Sequence, residues 1–207
     1  MSRQVLIALT TGLCLAAVAG CSGGGSGQTP APTSASATAA PSSSKGQAPA
    51  ITQPKLDAAK WDGRTCELLT SAQTGQLRVT KPGKARSTPA GETCNWTVDA
   101  SPGQSLTGSI GVNLNSKTEG GLNKIYADRS TYKHFEETTV AGYPSAHTNE
   151  SVPFDSGDCG GVTGVNDNVI LNVVVLTGDQ KAPEYKAPCA LADKVAEMVI
   201  STMKGGS

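Results

Sequence analysis

Two neighbouring stretches, Cys159-Gly160-Gly161-Val162-Thr163-Gly164-Val165 and Val169-Ile170-Leu171-Asn172-Val173-Val174-Val175-Leu176, carry the architecture of this chain. The second is rich in strand-forming residues, the first carries Val162, Thr163 and Val165 among glycines, and Asn166-Asp167-Asn168 lies between them. Strand-forming runs on either side of an Asn/Asp turn signal read as a β-hairpin. The second arm is apolar at odd and even positions alike. A strand with no polar side predicts a central place in the sheet, covered on both faces.

Further strands lie upstream. Cys94-Asn95-Trp96-Thr97-Val98 and Ser109-Ile110-Gly111-Val112-Asn113-Leu114 alternate, and Ser101-Pro102-Gly103 breaks the run between them, which predicts an antiparallel pair. Ile110, Val112 and Leu114 share one face of their strand and should meet the core. Trp96 reads as a core or rim anchor rather than a ligand platform. Phe135 to His147 reads as extended, with a turn or new strand start at Val140-Ala141-Gly142-Tyr143. Lys81-Pro82-Gly83-Lys84-Ala85-Arg86 reads as a solvated basic loop with breakers at its centre.

Three segments carry helical spacing. Leu68, Leu69 and Ala72 recur at it within Cys66 to Gly75, with Thr70 or Ser71 placed to cap a turn. Leu122, Ile125, Tyr126, Tyr132 and Phe135 fit a helix in part, with His134 near its negative end. After Pro188, the residues Leu191, Val195, Met198, Val199 and Thr202 form a continuous stripe beside Ala192 and Ala196, and Gly205-Gly206 ends it. That stripe predicts a helix laid over the apolar face of the sheet. The whole reads as one α+β domain: an antiparallel sheet packed by N-terminal, middle and C-terminal helices.

At the other end, Arg3 precedes an apolar stretch from Val5 to Val18, followed by Val18-Ala19-Gly20-Cys21. A cation, a short apolar run and small residues form the pattern of a secretory signal. The last four residues resemble the lipobox of bacterial lipoproteins. That resemblance implies cleavage before Cys21, a diacylglyceryl thioether on its sulfur, further acylation of the new terminus, and retention on the outer side of the cell membrane. Two or more acyl chains hold stably where one does not. From Ser22 to about Pro54 the chain is Ser, Gly, Thr, Ala and Pro with little charge, a composition that cannot offset its ordering entropy. The expected organisation is therefore a signal over 1–20, a lipidated, disordered linker over 21–55 and a globular domain over 56–207. A coil of that length reaches roughly 30–35 Å.

The chain has 17 Lys and Arg against 17 Asp and Glu. Removing the signal deletes Arg3 and no acid, leaving 16 against 17, a net −1. Without clustered positive charge, and with aromatic residues at only 4%, a nucleic-acid partner is not expected. Cys14 leaves with the signal and Cys21 is taken by lipid, so Cys66, Cys94, Cys159 and Cys189 remain. An even set in an exported domain reads as two disulfides. Four cysteines allow three pairings. Closure of local loops favours Cys66–Cys94 and Cys159–Cys189, each contributing roughly 3.5 kcal/mol in the chain-entropy account.

These pieces, in this order, resemble an actinobacterial lipoprotein family, domain of unknown function 3558. The resemblance rests on Cys21, the polar linker, Cys66-Glu67-Leu68-Leu69-Thr70, Cys94-Asn95-Trp96, Cys159 and Cys189-Ala190-Leu191-Ala192. Thr65 stands where the family usually has proline, a minor departure. The family implies an exported α+β domain with an antiparallel sheet, helices packed on it and two disulfides. It supplies no catalytic residues.

Reaction chemistry is hard to find in the residues themselves. His134 and His147 are the two imidazoles, neither in a motif, and no G-x-S-x-G surrounds any serine of the globular domain. Oxidised cysteines offer no thiolate. Asp155-Ser156-Gly157-Asp158 presents two carboxylates where calcium wants six or more oxygens, and the segment reads as a turn. Glu136-Glu137, adjacent on a strand, point to opposite sides and do not form a glycosidase pair. No metal and no cofactor are implied. The alternating Tyr143, Ser145 and His147 share a face and are the candidate lining of a ligand groove. The expected function is a membrane-tethered, non-enzymatic module that binds a cell-envelope protein or a small hydrophobic ligand. The alternative is a cell-wall hydrolase or transferase with an unfamiliar site.

Overall fold

The computed structural model describes residues 46–99 and 108–205. Cys21, the signal, most of the linker and the Ser101-Pro102-Gly103 break lie outside the described residues. Seven strands form one sheet: β1 (Lys84–Thr88), β2 (Gly91–Val98), β3 (Gly108–Asn115), β4 (His134–Val140), β5 (Tyr143–Asn149), β6 (Asp158–Gly164) and β7 (Ile170–Thr177). Their order is β1-β2-β3-β7-β6-β5-β4, and every neighbouring pair is antiparallel. The helices are short except the last: α1 (Ser71–Gln76), α2 (Leu122–Ala127), α3 (Pro183–Lys186) and α4 (Pro188–Met203). Single 3-10 turns span Ala58–Trp61, Thr65–Leu68 and Arg129–Thr131. The architecture is a mostly-sheet α+β body.

The expected hairpin is present, with Gly164 opposite Ile170 and Asp158 opposite Leu176. Its second arm, β7, is the central strand. Alternation then divides its side chains. Leu171, Val173 and Val175 are fully buried in the main core, where α4 packs on β6 and β7. The other face is covered only in part: Ile170 meets Leu122 and Tyr126 of α2 in a second, smaller cluster. Val174 is 45% and Leu176 47% exposed, so the expectation of a strand covered on both faces is corrected. α2 has six residues, too few to shield the length of the strand.

The β2–β3 pair forms as expected, with Cys94 opposite Val112 and Trp96 opposite Ile110. Ile110, Val112 and Trp96 are buried, and Leu114 is half-buried at the margin. The basic stretch is not all loop. Lys84, Ala85 and Arg86 belong to β1, which pairs with β2 at the sheet edge. Charged residues on an exposed edge strand discourage pairing with another chain, so the composition that read as loop serves an edge.

The helix expected over 66–75 begins later. Cys66 and Leu68 lie in a 3-10 turn, and Thr70 then caps α1 in a reciprocal box with Gln73. Ala72 is exposed, while Gln73 is buried: its Nε2 donates to the Met198 carbonyl and its Oε1 accepts from Thr202. The middle helix stops at Ala127, and His134 opens β4, so its expected place at a helix end is corrected. α4 buries Ala192, Val195, Ala196, Val199 and Ile200, whereas Leu191, Met198 and Thr202 stand half-buried at the margins of the stripe.

The body also starts before residue 56. Ile51 packs on the core, Ala48 N–H donates to Asn123 Oδ1 at 3.1 Å, and Tyr143 Oη donates to the Pro54 carbonyl at 2.6 Å. The stretch from Ala48 to Pro54, assigned from composition to the disordered linker, is part of the folded body. Two apolar residues, Ala48 and Ile51, and a few backbone groups suffice because α2 and β5 supply their partners.

Candidate ligand cleft

Where α1 ends, the chain turns back under the last two helices and leaves a cleft of about 310 Å³. That is near the lower bound of small-molecule sites. Leu77 and Val98, both buried residues, form apolar wall with Pro183, Ala187, Ala190 and Leu191. Among the described residues that line it, charge is confined to Arg78, Glu184 and Lys194.

The local sequence explains how Arg78 arrives there. Leu77 is the C-cap of α1, and Arg78 follows with φ +56°. Arg78 N–H donates to the Gly75 carbonyl, and Val79 N–H donates to the Thr74 carbonyl. That pair of bonds is a Schellman ending, whose left-handed position is usually glycine. An arginine there carries a backbone cost of about 1–2 kcal/mol. The Arg78 carbonyl accepts from Asp99 N–H, tying the turn to the end of β2. The guanidinium stands 3.4 Å from Glu184 Oε2, an ion pair joining α3 to the turn after α1. Glu184 Oε2 has no hydrogen bond although it is hidden from solvent.

A second cleft, about 290 Å³, lies beside Trp61, Leu114 and Val169, with Asp62, Glu92 and Lys117 around it. Its Glu92 is partly engaged already, accepting from Thr65 N–H at 3.0 Å. The cleft against α4 has the more continuous apolar wall.

The residues singled out from sequence fall elsewhere. Cys66 bonds Cys94 and Cys159 bonds Cys189, with Cα separations of 5.1 and 5.2 Å. The first staples the 3-10 turn before α1 to β2, the second the start of α4 to β6. Tyr143, Ser145 and His147 do share the α4-facing side of β5, but all three are buried. Ser145 Oγ donates to Thr163 Oγ1 at 2.9 Å. His147 Nε2 lies 2.8 Å from Asp193 Oδ1 of α4, and its ring meets Phe154 edge-on. His147 Nδ1 is buried with no partner. Their side chains hold the body together under α4 rather than line an open groove. His134 stacks obliquely on Phe154.

A family model described as "Protein of unknown function (DUF3558)" matches residues 16–202. The chain belongs to the DUF3558 family. The matched span takes in both disulfides and every residue around the α4 cleft. No curated protein and no solved structure matches. DUF3558 membership therefore identifies the domain without naming a ligand.

Sequence reading missed the cleft because its walls come from four separate places in the chain. One local signal was available: Gln76-Leu77-Arg78 after a capped helix, with no glycine to end it.

Proposed function

We propose that this chain is a lipid-anchored extracytoplasmic lipoprotein of the actinobacterial type, a non-enzymatic binding module that holds a small apolar ligand in the cleft beside α4. The anchor is inferred from Cys21 and the residues before it. The single observation that carries binding is the cleft: concave, apolar-walled and charged at a few points, as small-molecule sites are. Among the described residues, no imidazole, thiol or serine lines it. A protein partner on the open sheet face is the second reading, favoured by the exposed Val174 and Leu176.

Native mass spectrometry of the full chain extracted from cell envelopes tests the first reading. A small molecule should co-purify and be lost from Ala190→Trp, which fills the cleft from an exposed position on α4. Retention of the same molecule by that variant places it elsewhere. Envelope fractionation of Cys21→Ala tests the anchor: the variant should leave the membrane fraction and carry no acyl label.

A further inference from the structure

Resting on the cleft reading, we propose that its ligand is a single-chain amphiphile with an anionic head, and that Arg78 receives the head in exchange for Glu184.

Three observations converge on the mouth. Arg78 is held in the left-handed backbone region at a helix ending where glycine would sit without cost. Such strained non-glycine positions cluster at ligand clamps and persist because the surroundings hold them. Glu184 occupies the guanidinium at 3.4 Å, longer than a good charged hydrogen bond, while its Oε2 is hidden and accepts none. Lys194 adds a second cation at the rim, with no ion-pair partner among the described residues. Among the described residues, the ionisable groups lining the cleft are thus two cations and one carboxylate, a local excess of one positive charge. A carboxylate or phosphate reaching Arg78 replaces the Glu184 contact with a bidentate one. The chain behind that head lies along Leu77, Val98, Ala190 and Leu191. A cationic amphiphile meets like charge, and a neutral one gains no partner.

The test uses the full lipidated chain in lipid nanodiscs and four diazirine-bearing C10 probes: a carboxylic acid, an alkyl phosphate, an alcohol and a quaternary amine. Peptides covering 76–79 and 187–194 are mapped after photolysis. Labelling by the acid or the phosphate should exceed that by the alcohol about tenfold, and the ratio of the two anions identifies the preferred head. Glu184→Gln should raise anionic labelling several-fold by removing an internal competitor. Arg78→Gly should abolish the anion preference, bringing labelling by the acid and the phosphate down to that of the alcohol. Arg78→Lys should restore part of the preference. Equal labelling by acid, phosphate, alcohol and amine overturns the anionic-head proposal while the cleft stands. Absence of labelling by all four overturns both.

Discussion

His147 and Asp193 show how a residue that looks like chemistry becomes structure. An imidazole buried between a sheet and a helix is stable when its nitrogens are satisfied, and here one is bonded to the helix carboxylate and the other is not. Replacing His147 with leucine leaves Asp193 without its partner and should cost about 1–3 kcal/mol. The double change His147→Leu with Asp193→Leu should lie closer to the native chain than the sum of the single changes. Urea denaturation of the four chains measures this, and strict additivity would show the two groups uncoupled. Tyr126 poses a different residue question. Its ring is buried, its hydroxyl donates to the Ser145 carbonyl, and burial, with Glu137 adding repulsion, pushes its phenol from 10.0 up to about 12. Below pH 10 neither state ionises and stability is unaffected. Between about 10 and 12 the unfolded chain loses a proton that the folded one keeps, so stability falls as pH rises. Tyr126→Phe should flatten that part of the alkaline stability profile, read by chemical denaturation at stepped pH.

Among elements, the β4–β5 hairpin is the clearest case of local rules at work. Its two-residue turn, Ala141-Gly142, has φ +49° and +85°, the geometry of a type I′ turn. Gly142 also needs its missing side chain, since a Cβ would stand 2.8 Å from Gln53 Nε2. Alanine has no such licence at the first position, whereas asparagine visits that region readily. Ala141→Asn should therefore stabilise the chain by about 0.5–1 kcal/mol, seen as a raised denaturation midpoint with an unchanged slope. α1 is legible for the same reason: Thr70 and Gln73 make a capping box three residues apart. The place of Gln73 in the interior was not legible. Its amide is satisfied by Met198 and Thr202, distant in sequence, while the apolar Ala72 faces solvent.

Over the whole molecule, the sheet gathers both disulfides and the early segment into one body. Beginning the chain at residue 56 removes Ile51 from the core margin and the Pro54 carbonyl from the buried Tyr143 hydroxyl. Orphaning that hydroxyl costs about 1–3 kcal/mol. At roughly 2–4 °C per kcal/mol for a domain of this size, a chain starting at 56 should melt several degrees below one starting at 46, by calorimetry. Equal melting temperatures would return 46–55 to the linker.

The order of cysteines, the alternation of Cys94–Val98 and 109–114, the turn signal after Val165 and the stripe after Pro188 foretold β2, β3, β6, β7, the final helix and two local disulfides. Each of those signals depends on neighbours one to four residues away or on loops of about 30. Burial of His147, exposure of Val174 and Leu176, the edge role of Lys84 and Arg86, and the cleft around Arg78 depend instead on which distant segment lands on which face. A short α2 leaves one side of β7 open, and a helix ending without glycine brings a cation to a wall built from α3 and α4. Neither outcome follows from composition or period, because both are settled by packing between residues far apart in the chain.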